Sequence, residues 1–281
     1  MGAKLILYAL CSTAAAAPAL QSDRFRAVYE PPKNPAHQAL YEELKTTHTL
    51  ERFREFLSYV RLPHVVILRL AGCDGDDDAW YDAEDRTITV CYEYLEKVRR
   101  IVLKSAMPNG VTQTNAVRGP LLEVFLHEVG HALFDQLHIP ILGREEDAAD
   151  QFAAFFLLHL DEKTARDTVL SVAWMYAQEA KDAEIGDADL ADIHGLSGQR
   201  FYTVLCLAYG SDPELFADLV SNHNLPEDRA EGCADEYRQV AYAIRTLMSR
   251  YVDVSRRDRV LAEEWSGAKV RRKTPTEVPA Q

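Results

Sequence analysis

Leu121-Leu122-Glu123-Val124-Phe125-Leu126-His127-Glu128-Val129-Gly130-His131-Ala132-Leu133-Phe134 reads as an apolar helix that carries the order HExxH. Helical spacing of four sets His127 and His131 one turn apart on one face, so both imidazoles can reach a single zinc ion at about 2.1 Å. Glu128 projects beside that point and can take a proton from metal-bound water. Burying two histidines and a glutamate in so apolar a helix is costly unless something satisfies them, and a metal does. Gly119-Pro120 marks the expected start of the helix, which puts His127 about two turns in.

A catalytic zinc takes three protein ligands and keeps one position for water, so a third ligand has to come from elsewhere. His138 lies about 10 Å beyond His131 along a continuous helix, too far for a bond of about 2 Å. The elongated motif that ends in a third histidine is excluded, because it needs Gly and His where this chain has Phe134 and Leu137. Ile139-Pro140-Ile141-Leu142-Gly143 can instead turn the chain back into a second helix that opens Glu145-Glu146-Asp147-Ala148-Ala149-Asp150-Gln151. Glu146 and Asp150 are four apart and share a face, so one carboxylate can bind metal while the other holds the ring N–H of a ligand histidine. Glu145 has Ala149 at the matching offset and Asp147 has Gln151, which leaves Glu146 as the candidate ligand. By itself such an acidic cluster is a solvated first turn favoured by the helix dipole. One short loop after HExxH, it reads as part of a metal site.

Among the 281 residues, 31 basic and 44 acidic side chains give a formal net charge of −13. A surface that negative repels phosphate backbones and anionic lipid heads, which argues against nucleic-acid or membrane-surface binding. With 47% hydrophobic and 27% charged residues the chain has the composition of a soluble folded protein of one large or two small domains. Lys4, the apolar run Leu5 to Ala17 and Ala17-Pro18-Ala19 have the layout of a secretory signal peptide over 1–19, cleaved near Ala16 or Ala19. The run is shorter than the roughly 20 residues a bilayer requires, and Leu10 before Cys11 argues against a lipoprotein site. No later run is apolar enough to span a membrane, so the expected location is the periplasm or the medium. Of the five cysteines, Cys11 leaves with the leader. The other four are expected to pair as sequence neighbours, Cys73 with Cys91 across a hairpin and Cys206 with Cys233 between helical segments.

Asn34-Pro35 reads as an N-cap with proline at the first helical position, opening a helix made amphipathic by Leu40 and Leu44. A second helix is expected over 49–60, a small sheet from His64 to Leu70, Ala79 to Asp82 and Thr87 to Cys91, and a helix from Tyr92 to Lys104. A linker over 107–119 separates this mixed part from helices at 120–138, 144–160, 163–182, 198–209, 212–222 and 226–252. A basic tail from Trp265 is expected to be disordered. Asp74, Asp76 and Asp78 alternate as in a calcium loop, but Ala79 stands where such a loop wants Gly and Asp85 where it wants Glu, so a plain acidic turn is the better reading. His37, His48, His64, His159 and His223 have no partner at metal-binding spacing and are read as structural or surface residues. Cys91 as a zinc ligand conflicts with an exported, oxidising setting.

HEVGHALFD followed by GREEDAAD resembles an uncharacterised family of exported bacterial proteins described as metallopeptidases, within the thermolysin-like zincins, or gluzincins, whose third ligand is a glutamate. The likeness covers most of the mature chain, including the segments from Cys73 to Cys91 and from His194 to Cys206. It implies an α+β zincin-like fold over 20–264, zinc at His127, His131 and Glu146, Glu128 as catalytic base, and Asp150 behind a ligand histidine. Thermolysin proper has asparagine and serine where this chain has Glu145 and Ala149. A peptide-hydrolysing site also needs a donor for the oxyanion. Asp192-Ile193-His194-Gly195-Leu196-Ser197-Gly198-Gln199-Arg200-Phe201-Tyr202 gathers such groups at a loop-to-helix junction, with His194 the first candidate and Arg200 or Tyr202 the second. The expected activity is metal-assisted hydrolysis of peptides or proteins. The alternative is a zinc-retaining binding or structural protein without turnover, against which the presence of Glu128 speaks.

Overall fold

The computed structural model describes residues 18–108, 110–181 and 184–260. The expected leader up to Ala17 and the basic tail from Trp265 lie outside the described residues.

Four strands precede Tyr92: β1 (Phe25–Tyr29), β2 (Val66–Ala71), β3 (Ala79–Asp82) and β4 (Thr87–Cys91). They form one mixed sheet in the order β1-β2-β4-β3. β1 runs parallel to β2, β2 parallel to β4, and β3 antiparallel to β4. β4 is buried along its whole length, as befits an inner strand covered on both faces. β1 is an addition to the expected sheet. Its five residues alternate, with Phe25, Ala27 and Tyr29 turned inward and Arg26 and Val28 outward, a short period-two signal at the edge. Cys73 is joined to Cys91, closing the turn that leads into β3.

The helices are α1 (Gln38–Thr46), α2 (Thr49–Leu57), α3 (Tyr92–Lys104), α4 (Gln113–Leu137), α5 (Glu145–Leu157), α6 (Glu162–Ala180), α7 (Asp187–Ala191), α8 (Ser197–Ser211), α9 (Asp218–Ser221), α10 (Glu227–Ala230), α11 (Cys233–Met248) and α12 (Val254–Val260). The architecture is α+β, with a small sheet and mostly helical content. No helix among the described residues is long and apolar enough to cross a membrane. α4 is central: it packs on β3 and β4 and against α3, α5 and α6. Its Leu126, Val129, Ala132 and Leu133 are wholly buried, in the same core as Leu68, Leu70, Ile88 and Val90 of the sheet.

Three expectations are corrected. α4 does not start at Gly119-Pro120, and the linker ends sooner than expected. The Thr112 hydroxyl accepts the Asn115 N–H and caps the helix, and the chain continues helically through Pro120. Gly119 is required for contact rather than for a turn: a Cβ there would stand 2.7 Å from Ser171 Cβ on α6. The helix expected over 212–222 is reduced to α9, because the Asp212 carboxylate accepts the Leu215 N–H and holds a turn. The helix expected over 226–252 is split at Gly232 into α10 and α11. The break seats the Cys233 backbone against Gly210 of α8, where a Cβ would meet Cys233 O at 2.1 Å, and Cys233 is joined to Cys206 of α8.

In the acidic turn, Asp74 and Gly75 adopt positive φ, Asp74 and Asp77 pair with Lys33 and Lys97, and the Cys73 and Gly75 N–H groups donate to Glu93. His48 and His223 also sit at positive φ, and buried His37 meets Glu96.

Candidate metal centre

α4 ends at Leu137, where His138 takes a left-handed conformation (φ 50°) that caps the helix and faces solvent. Gly143 (φ 100°) completes the return, a backbone state that only glycine adopts without strain. α5 then crosses α4 at its narrowest point. A Cβ on Gly130 would lie 3.3 Å from Ala149 Cα and 3.4 Å from Phe152 Cδ1. The small residue before His131 therefore lets the first turn of α5 reach both histidines. Gly130→Val, which adds a branched side chain at that crossing, is expected to separate the helices and lower the fold's stability by about 1–3 kcal/mol. Denaturant unfolding checks this, together with metal content per chain; an unchanged midpoint with full metal content would show that the crossing has room.

The geometry at the crossing is tight. His127 Nε2 and His131 Nε2 are 3.1 Å apart, and Glu146 Oε2 lies 3.0 Å from the first and 3.2 Å from the second. Three donors each about 2.1 Å from one ion in tetrahedral geometry would stand about 3.4 Å from one another, so two imidazole nitrogens and a carboxylate oxygen fit the donor set and spacing of a divalent transition metal. These three residues form a group whose donor atoms all lie within 4.8 Å of one another. Glu123, His127 and Asp150 form a second such group, whereas the one made by Cys73, Cys91 and Glu93 has its sulfurs tied in a disulfide.

Around the three donors stands a ring of polar partners. His127 Nδ1 donates to Asp150 Oδ1 at 2.8 Å and His131 Nδ1 to Glu145 Oε1 at 2.8 Å, so each ring presents Nε2 toward Glu146. His194, in the loop between α7 and α8, places Nε2 3.1 Å from the same Glu146 oxygen, and its Nδ1 faces Asp192 at 3.1 Å. Arg144 Nη1 donates to the His194 carbonyl at 3.3 Å while Nε pairs with Asp147, which ties the His194 loop to the start of α5. Arg200 does not face the open side of the cluster. It donates from Nε and Nη2 to the two oxygens of Asp150, at 2.7 and 2.5 Å, and stacks over Tyr176. Tyr202 is exposed, rests edge-on against Phe201, and enters none of the hydrogen bonds around the histidines.

Sequence reasoning overlooked Glu123, Glu145 as the partner of His131, and Tyr176. Glu123 sits one turn before His127 on the same helix, buried; it accepts from Tyr176 OH at 2.8 Å and lies 3.7 Å from Arg200 Nη2. Its spacing of four from His127 was the available signal.

The charges follow from these contacts. Burial opposes the cationic form of His127, but hydrogen bonds to Asp150 and Glu146 outweigh it and push the pKa up to about 10. Hydrogen bonds from His127, His131 and His194 hold the Glu146 carboxyl well below the usual carboxylate range. Burial alone leads for Glu128, 6% exposed, and raises its pKa. Burial likewise raises Glu123. Asp150 is pushed up by burial, yet the His127 bond and the Arg200 charge bring it below its ordinary value. A carboxyl that resists ionisation beside a cluster of donors is the pattern of a group placed to accept and release a proton.

Neither a curated protein nor a solved structure matches the chain. A family model described as "Putative metallopeptidase" matches residues 29–248, a span that contains every strand but most of β1 and the whole centre, and the chain therefore belongs to that family.

Proposed function

We propose that the protein is an exported, zinc-dependent peptidase of zincin-like fold, one catalytic domain over 20–264, that hydrolyses peptide bonds with Glu128 as general base. The observation that carries this reading is the convergence of His127 Nε2, His131 Nε2 and Glu146 Oε2 from two helices, with buried Glu128 next to the first of them. Two histidines and one carboxylate are the donor set of catalytic rather than structural zinc, which leaves a position for water. Zinc, when bound, supplies a Lewis acid that lowers the pKa of water and polarises a carbonyl. Glu128 takes the proton of the attacking water and returns it to the leaving amine, a role suited to a carboxyl whose proton affinity burial has raised. Asp150 and Glu145 hold the protons on the Nδ1 atoms, which keeps the Nε2 lone pairs free. His194, whose Nδ1 meets Asp192 and whose Nε2 stands beside the Glu146 oxygen, is the group that would turn its Nε2–H to the oxyanion once that oxygen is taken by the ion. The signal-peptide layout of 1–19 and the two disulfides support export.

Two measurements test the proposal. Elemental analysis of purified protein is expected to give one zinc per chain, lost in His131→Ala, and a peptide library is expected to be cut without chelator and left intact with it. Metal retention with no cleavage of any peptide would identify a silent binder instead. In His194→Ala, kcat is expected to fall about 10²-fold with KM little changed, the size of a lost oxyanion donor; an unaltered kcat removes His194 from the chemistry.

A further inference from the structure

A cavity of about 720 Å³ opens on the far side of α4 from the metal centre. Arg118, Leu122 and Phe125 line it, and at 3.6 residues per turn they project roughly 140–180° round the helix from His127. Its apolar lining includes Leu40, Leu44, Phe53, Phe56, Leu122 and Phe125 of α1, α2 and α4, of which all but Leu122 belong to the buried core. Its volume lies inside the range of about 300–1,000 Å³ typical of sites for small molecules.

Four cations also line it, and two of them are matched: Arg99 pairs with Glu43 at 2.6 Å, and Lys163 pairs with Asp167. Arg52 and Arg118 are exposed and have no carboxylate partner among the described residues. In a chain of net charge −13, two free guanidinium groups over an apolar chamber are an uncommon placement of charge. Arginine forks suit a carboxylate, and the chamber suits a hydrocarbon. We propose that this cavity binds a free long-chain carboxylate, with Arg52 and Arg118 on the head group and the aromatic side chains along the tail. The site is separate from the metal centre and does not depend on the proposed hydrolysis.

Titration calorimetry of the purified protein with octanoate, decanoate and dodecanoate below their micellar concentrations tests it. One ligand per chain is expected, with Kd falling about tenfold for each added pair of methylenes. Dodecanol, which lacks the charge, is expected to bind at least tenfold more weakly than dodecanoate. Arg52→Glu combined with Arg118→Glu is expected to abolish that preference and leave dodecanol binding unchanged; both side chains are exposed, and the thermal midpoint checks the fold. Absence of saturable binding, or equal affinity of wild type and double variant for dodecanoate, overturns the proposal. So does tighter binding of a peptide with a C-terminal Phe-Leu carboxylate, which would assign the cavity to a protein partner.

Discussion

Glu128→Gln is expected to lower kcat for peptide hydrolysis by about 10²–10⁴-fold while the protein keeps its metal and its fold. The carboxamide fills the same space at a position that is 6% exposed, so packing is preserved. What it loses is the lone pair that accepts a proton. Removing a carboxyl whose ionisation burial already opposes adds no unpaired charge, so the unfolding midpoint is not expected to drop. Steady-state rates on the best peptide from the library digestion, with metal content measured on the same sample, make the check. A variant that retains more than a tenth of the rate would show that another group takes the proton.

Arg200→Met is the second large effect, and it is one of stability. The guanidinium is 19% exposed and is bound by both oxygens of Asp150, with Glu123 at 3.7 Å and the Tyr176 ring beneath it. Without it, buried Glu123 and part-buried Asp150 face each other with no cation but His127 between them. Removing one partner of such a set costs about 3–5 kcal/mol, more than replacing the whole set. Arg200→Met alone is therefore expected to be far less stable in denaturant than the same change combined with Glu123→Gln and Asp150→Asn. Because Asp150 orients His127, metal affinity is also expected to fall about 10–100-fold in the single variant. A loss below about 1 kcal/mol would place the cluster in effective contact with water.

How far the sequence could be read depends on how far apart the cooperating residues lie. HExxH and the acidic start of α5 are legible because each is a spacing within one helix, and the turn between them is short. The relation of Asp150 to His127 follows from the same local pattern. Arg200 and Tyr176 are different, since they reach Asp150 and Glu123 across 50 and 53 residues, and no helical period connects them. Gly119-Pro120 misleads for a related reason. Local chemistry marks it as a helix start, but a cap at Thr112 and the fit of Gly119 against α6 override that preference. β1 went unread because five residues at a sheet edge carry little signal, and its parallel pairing with β2 is non-local.

The separation along the chain of what grips and what works has a corollary. His127 and Glu146 are 19 residues apart, so a hairpin of two helices closes the ion-holding loop at small entropic cost. His194 and Arg200 arrive with α8 and the loop before it, across 50 residues, and α8 is itself held by the Cys206–Cys233 bridge and by the Arg200–Asp150 pair. A loosening of α8 that spares the hairpin of α4 and α5 would thus leave His127, His131 and Glu146 together while His194 stands away from them.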